Sequence, residues 1–124
     1  MWHEFLDNTK FLKELYEKIP DLINVQINNV CLNESGNRIK IIIELPRYAD
    51  YPPKKWSNNN TISIEMDFFG IQSINISSIA NSYHGDFKIN KLDNGFLEVD
   101  IKGTLNLNII VELGYVQRLE GYVR

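Results

Sequence analysis

The strongest constraint on the fold of this chain is a period-two alternation of apolar and polar residues that recurs along most of its length. Residues 39–45 are apolar at every second position, and residues 62–68 repeat the pattern. Because successive side chains of a strand point to opposite faces of a sheet, such segments predict strands with one buried face. Related patterns occur in residues 23–32, 71–76, 87–89, 97–101 and 105–111. The sequence therefore predicts about seven strands.

The segments between these strands are mostly short and rich in turn-forming residues. Gly36, within NESGN, can take a positive φ, and Asn94-Gly95 is typical of a two-residue type I′ hairpin. The pair Asn28-Asn29 interrupts the first alternating segment and predicts a bulge or bend. Short connections favour antiparallel pairing, because parallel neighbours need long crossovers. Residues 113–124 are predicted to extend the last strand or to form a tail.

Only one segment has helical periodicity. In about Asn8 to Lys18, pairs such as Phe11 with Leu15 lie four residues apart and form one apolar stripe. Pro20 disfavours helical geometry at the residue before it and ends the element. One short N-terminal helix against a mostly antiparallel sheet predicts the α+β class.

Length and composition predict a single domain over residues 1–124. Hydrophobic residues make up 44% and charged residues 23%, as in ordinary globular proteins, and the net charge of −3 argues against nucleic acid as a partner. The lone cysteine excludes an internal disulfide. With no signal-peptide pattern and no apolar run of about 20 residues, we expect a cytoplasmic protein that does not cross a membrane.

The sequence shows no established catalytic signature. His3 and His84 lie far apart with no ligand at metal-site spacing, and there is no nucleophile elbow and no phosphate-binding glycine loop. We therefore expect no catalytic residue, no cofactor and no metal, and hence a protein that is not an enzyme.

Two pairs of carboxylates are the first candidates for a binding role. Glu65 and Asp67 lie two residues apart on one predicted strand, and Glu98 and Asp100 repeat the arrangement on another. Residues two apart share a face of a sheet, so each pair presents two negative charges together. The ordinary interpretation is a solvated sheet face; the sharper one is an acidic docking surface for a basic partner.

The stretch LPRYADYPPKKW, residues 45–56, is the second candidate. Its prolines limit the conformations of the chain, and its Trp56 combines a large apolar ring with one N–H donor. One interpretation is a stiff crossover that brings Trp56 to the edge of the core. The other is an exposed aromatic platform for a partner, formed by Tyr48, Tyr51 and Trp56.

The layout of these features resembles the immunity protein 50 family of bacterial polymorphic toxin systems. The resemblance covers about residues 2–111 and rests on Trp2, on IPDL at 19–22, on Pro46, and on YPPKKW followed by NTISIEMDFFGIQSINI. It implies a cytoplasmic binder that blocks a toxin domain encoded nearby and is itself not an enzyme. The acidic pairs would then steer a basic toxin.

Two other functional classes stay open at this stage. A small-ligand-binding or enzymatic domain would use a pocket with convergent polar groups. An uncharacterised regulatory domain would have a partner of its own. A homo-oligomer is possible but not indicated, because an exposed edge strand would permit one without requiring it.

Overall fold

The computed structural model describes residues 1–124, apart from the side chain of Glu34. Over these residues the chain forms one short α-helix, three single 3₁₀ turns and an eight-stranded antiparallel sheet. The helix is α1 (Lys10–Leu15). The strands are β1 (Val25–Asn33), β2 (Arg38–Glu44), β3 (Thr61–Phe69), β4 (Ser73–Ser78), β5 (His84–Lys91), β6 (Leu97–Gly103), β7 (Leu105–Val111) and β8 (Leu113–Tyr122).

The mostly antiparallel sheet and the single N-terminal helix are as predicted, but the strand count and some details differ. The closing residues 113–124 hold a separate strand, β8, which pairs with β3 at the far edge of the sheet. The helix is shorter than Asn8 to Lys18, because helical geometry is already lost at Tyr16. The Asn94-Gly95 turn has a positive φ only at Gly95, so it is a longer loop and not a type I′ turn.

The strand order β4-β7-β6-β5-β1-β2-β3-β8 separates two pairs of consecutive strands: β3 and β8 lie at one end of the sheet, and β4 and β7 lie at the other. The ladder of β3 with β8 ends at Phe69 opposite Leu113, and the ladder of β4 with β7 begins at Ser73 opposite Ile110. Between them the N–H of Glu112 donates to the carbonyls of Phe69 and Gly70, at 2.9 and 3.2 Å. The segments β3–β4 and β7–β8 are therefore two long strands that bend together at one corner.

This corner divides the sheet into two halves that enclose one core. One half contains β1, β2, β3 and β8, and the other contains β5, β6, β7 and β4. The two halves also meet where β1 pairs with β5, through Val25 opposite Gly85 and Gln26 opposite His84. The inward residues of both halves belong to a single buried apolar cluster, so the outward residues of the two halves point away from it in different directions.

Gly70 makes the bend at the corner possible. Its φ of +70° is a left-handed conformation that side-chain-bearing residues rarely adopt. A Cβ at this position would also lie 2.5 Å from Oε2 of Glu112. Glycine is thus required here by the backbone geometry, whereas the exposed Glu112 side chain could move away from a Cβ.

The N-terminal residues close one end of the core and one edge of the sheet. Leu12 and Leu15 of α1 are fully buried, and the indole of Trp2 donates to the carbonyl of Pro20 at 3.0 Å. Asp7 forms a parallel bridge with Tyr115 of β8. The segment before the helix therefore covers part of the outer edge of β8.

His3 introduces a pH dependence into this N-terminal packing. The side chain is buried against Trp2, with the two ring centres 5.6 Å apart, and neither ring nitrogen has a hydrogen-bond partner among the described residues. Burial disfavours the charged imidazolium and holds the pKa of His3 below its ordinary value. The unfolded chain therefore binds a proton at His3 more readily than the folded chain does.

We expect the free energy of unfolding to fall as the pH drops through the unfolded pKa of about 6.5. The His3 contribution is fully present above that pH and is limited to ~1.4 kcal/mol per pH unit. Urea denaturation across this pH window measures the slope, and His3→Gln is expected to flatten it. An equal slope in the two proteins would contradict the assignment to His3.

Candidate protein-binding surface

Residues 45–60 cross from β2 to β3, and the ring of Trp56 within them is buried. Trp56 ends a 3₁₀ turn of residues 54–56 and is only 5% exposed. Its ring packs against Phe11 at 5.6 Å, and a Cβ at Gly121 would lie 2.6 Å from Cδ2 of Trp56. The ring is therefore enclosed between the helix and β8, and Trp56 has no free face for a partner.

A polar network holds the first half of this crossover against the helix. The hydroxyl of Tyr16 donates to the carbonyl of Arg47 at 2.6 Å, and the Arg47 guanidinium lies 4.8 Å from the centre of the Tyr16 ring. Arg47 also pairs with Asp50 at 2.9 Å. The pKa of Asp50 is lowered mainly because its carboxylate accepts the N–H of Glu17. These contacts fix the crossover as a rigid connection.

The two tyrosines of the crossover differ in exposure. Tyr48 is half-buried, and its hydroxyl donates to the carbonyl of Trp56 at 2.8 Å. Tyr51 is 59% exposed, and only its backbone N–H is held, by the carbonyl of Leu15. The predicted platform of three aromatic residues is therefore not assembled: Tyr51 alone offers its ring to solvent.

The first acidic pair, Glu65 and Asp67, is split by burial. Both side chains leave the outer face of β3, but Asp67 is completely buried while Glu65 is half-buried. Oδ2 of Asp67 accepts a hydrogen bond from Nη2 of Arg38 at 2.8 Å. Asp67 lies between Lys40 and Tyr115 in the register of the sheet. Its charge is already paired within the fold, which removes it from any docking surface.

Next to this ion pair lies an aromatic cluster that sequence reasoning missed. The rings of Phe69 and Tyr115 stack at 5.5 Å with their planes 14° apart, and the Arg38 guanidinium lies 5.5 Å from the centre of Phe69. Leu113, opposite Phe69, is exposed. We call this set, with Glu65, the β2–β3–β8 face: Arg38, Glu65, Phe69, Leu113 and Tyr115. Aromatic and arginine side chains of this kind are enriched at the energetic centres of protein interfaces.

One sequence signal pointed to this cluster. Phe69 follows Phe68, so the strand places a second aromatic residue at an outward position where the alternation predicts a polar one. Its partner Tyr115 lies in residues 113–124, which the sequence predicts to extend the last strand or to form a tail. Only the pairing of β3 with β8 brings the two rings together.

The second acidic pair lies on the other half of the sheet. Glu98 and Asp100 are half-buried on the outer face of β6, and Nδ2 of Asn108 donates to a carboxylate oxygen of each at 3.2 Å. Lys102 approaches Asp100 at 3.7 Å. The pair is preorganised by Asn108 and partly neutralised by Lys102. It lies on a different outer surface from Glu65, so the two acidic sites do not form one patch.

None of the His, Cys, Asp and Glu side chains in the described part of the chain form a group of three or more that could hold a metal ion. A groove of about 490 Å³ opens between β1 and β4 and is lined by residues such as Val30, Ile76, Tyr83 and Leu105. Among the described residues, no helix has the length and hydrophobicity needed to cross a membrane.

Comparison with known proteins assigns a family to this arrangement. The profile of the family described as immunity protein 50 matches residues 8–122, which is nearly the whole chain. The match begins after Trp2 and extends through β8, beyond the 2–111 inferred from the sequence layout. No curated protein and no solved structure matches the chain significantly. The match over residues 8–122 is sufficient to conclude that the chain belongs to the immunity protein 50 family.

Proposed function

We propose that this protein is a bacterial cytoplasmic immunity protein that binds a toxin domain encoded near it and neutralises that toxin without catalysing a reaction. The observation that carries this proposal is its membership of the immunity protein 50 family over residues 8–122. The absence of a metal-binding group among the described residues is compatible with a binder.

The β2–β3–β8 face is the surface that we assign to the toxin. Its rings of Phe69 and Tyr115 are held in place because they stack on each other. The Arg38 guanidinium, which lies against the Phe69 ring, is held in turn by Asp67. A preorganised aromatic surface loses little side-chain entropy on binding. Exposed Leu113 adds apolar area beside the stack, while Glu65 and Arg118, opposite each other in the register, supply a polar rim.

The accessible carboxylates contribute to the approach of the partner more than to the contact itself. Glu65, Glu98 and Asp100 remain at the surface of a chain with net charge −3. Their field favours a basic toxin domain, and complementary charge acts mainly on the association rate.

Replacement of Tyr115 by alanine tests the assignment of this face. In the presence of the toxin domain encoded beside this gene, the unaltered chain should restore growth and form a complex on size exclusion. Tyr115→Ala should weaken the complex about thirtyfold, the effect of losing a ~2 kcal/mol hot-spot residue. Binding kinetics on folded protein, verified by circular dichroism, provide the measurement.

Two variants serve as controls for this experiment. Tyr51→Ala removes an exposed aromatic ring from the crossover and should leave affinity unchanged. A triple lysine variant of Glu65, Glu98 and Asp100 should slow association and weaken its dependence on salt, while Tyr115→Ala acts on dissociation. If Tyr51→Ala weakened the complex and Tyr115→Ala did not, the interface would lie on the crossover. No complex and no growth rescue would refute the proposed function itself.

A further inference from the structure

The two edges of the sheet are protected to very different degrees. The β8 edge is bridged by Asp7 near Tyr115, and farther along it carries Arg118 and Glu120 and a bulge opposite Glu65 and Met66. Charges, bulges and covering segments are the devices by which proteins prevent edge strands from pairing with other chains. The β8 edge is thus guarded.

The β4 edge has none of these devices. Its sequence, SINISS, contains no charged residue and no proline, and within the described residues β4 pairs with β7 alone. A row of backbone N–H and C=O groups on its free side therefore remains available for another strand.

Apolar side chains beside this edge are also uncovered. Ile76 points toward the core side of the sheet, as its partner Leu107 does, yet Ile76 is 44% exposed. Ile79 and Tyr83, which follow β4, are 80% and 42% exposed. This contrasts with β6 and β7, whose inward residues are buried. The inward face of the sheet is therefore left partly uncovered at β4, its last strand.

The sequence of β4 identifies the strand that fits there. Residues 73–77 read Ser-Ile-Asn-Ile-Ser, which is the same in both directions. We propose that β4 pairs antiparallel with β4 of a second copy of this chain, about a twofold axis at Asn75. This proposal is independent of the proposed function.

The palindrome selects one register. Directly opposite residues of an antiparallel pair point to the same face, so the inward Ile74 and Ile76 must face inward positions of the second copy. With the axis at Asn75, Ile74 of each copy lies opposite Ile76 of the other, and Ser73 lies opposite Ser77. Shifting the axis by one residue places Asn75 opposite a serine and leaves one isoleucine facing Gln72 or Ser78. Only the register centred on Asn75 places each of the five residues opposite a residue of the same type.

This pairing also covers the exposed apolar surface. Ile74 of the second copy lies beside Ile76, whose side chain loses part of its contact with water. Asn75 meets Asn75 of the second copy on the outer face, where two amides can hydrogen-bond to each other. The interface is isologous, as a closed dimer requires.

A charge at Asn75 tests both the dimer and its register. Because Asn75 faces itself, Asn75→Lys places two ammonium groups directly opposite each other, and Asn75→Asp places two carboxylates there. Each variant alone is expected to raise the dimer dissociation constant at least ~10-fold. An equimolar mixture of the two variants is expected to restore dimers, because lysine then faces aspartate. Sedimentation equilibrium over a concentration series measures all three.

Gln117→Lys is the matched control, since it adds the same charge at an exposed position on the guarded β8 edge, and it should leave dimerisation unchanged. A wild-type chain that stays monomeric over the whole series would overturn the proposal. So would dimers that survive Asn75→Lys, or variants that do not recombine on mixing. If the wild type were monomeric and Asn75→Lys abolished binding of the toxin domain, the β4 edge would belong to the toxin and not to a second copy.

Discussion

Replacing Trp56 by alanine is expected to lower the free energy of unfolding by about 4 kcal/mol. The indole is almost completely buried, packs against Phe11 and lies directly over Gly121. Its removal costs the transfer free energy of a large aromatic side chain and leaves a cavity that rigid neighbours cannot fill. Urea denaturation at neutral pH, with the slope compared between variants, gives the measurement.

Tyr51→Ala is the matched control for this experiment. It removes an aromatic ring five positions earlier in the same crossover, but that ring is mostly exposed, so stability should change by less than ~0.5 kcal/mol. A loss below ~1 kcal/mol for Trp56→Ala would show that the indole is not a core residue, and would restore it as a candidate for partner contact.

Replacing Asp67 by alanine is expected to lower the free energy of unfolding by about 3 kcal/mol. Asp67 is fully buried and accepts a hydrogen bond from Arg38, whose side chain is 27% exposed. Breaking a buried ion pair by removing one partner typically costs ~3–5 kcal/mol. We expect the lower end because the guanidinium still reaches solvent. Thermal and urea unfolding of the variant measure the loss.

Glu65→Ala is the control for Asp67, because it removes a carboxylate from the same face of the same strand at a half-buried position. It should cost less than ~1 kcal/mol. The double variant Arg38→Met with Asp67→Leu should recover most of the stability, since it leaves no buried charge unpaired. Equal losses for Asp67→Ala and Glu65→Ala would contradict the placement of Asp67 in the interior.

Glu65 and Asp67 show where prediction of the site from sequence succeeded and where it failed. Glu65 and Asp67 lie on one face, as their spacing indicates, but spacing carries no information on which neighbours cover that face. Arg38 lies on β2 and Tyr115 on β8, so the burial of Asp67 depends on strands far away in sequence. The same reason explains why the Phe69–Tyr115 stack was missed.

The fold was more accessible to prediction than the site. Alternation located the strands, because a half-buried strand must place apolar residues at every second position. It could not show that residues 113–122 form an edge strand. The chain passes from β7 to the opposite edge of the sheet because the paired strands bend at Gly70 and Glu112. A local pattern describes one strand at a time and contains no information on which strands become neighbours.

The sequence by itself determined the class of the fold, the family layout and the palindrome of β4, because these depend on residue order within short segments. Only the tertiary structure decided that Trp56 and Asp67 belong to the interior, that Tyr115 stacks on Phe69, and that β4 is an unprotected edge. Burial and pairing are properties of residues that meet from distant parts of the chain, and long-range strand pairing is what brings them together.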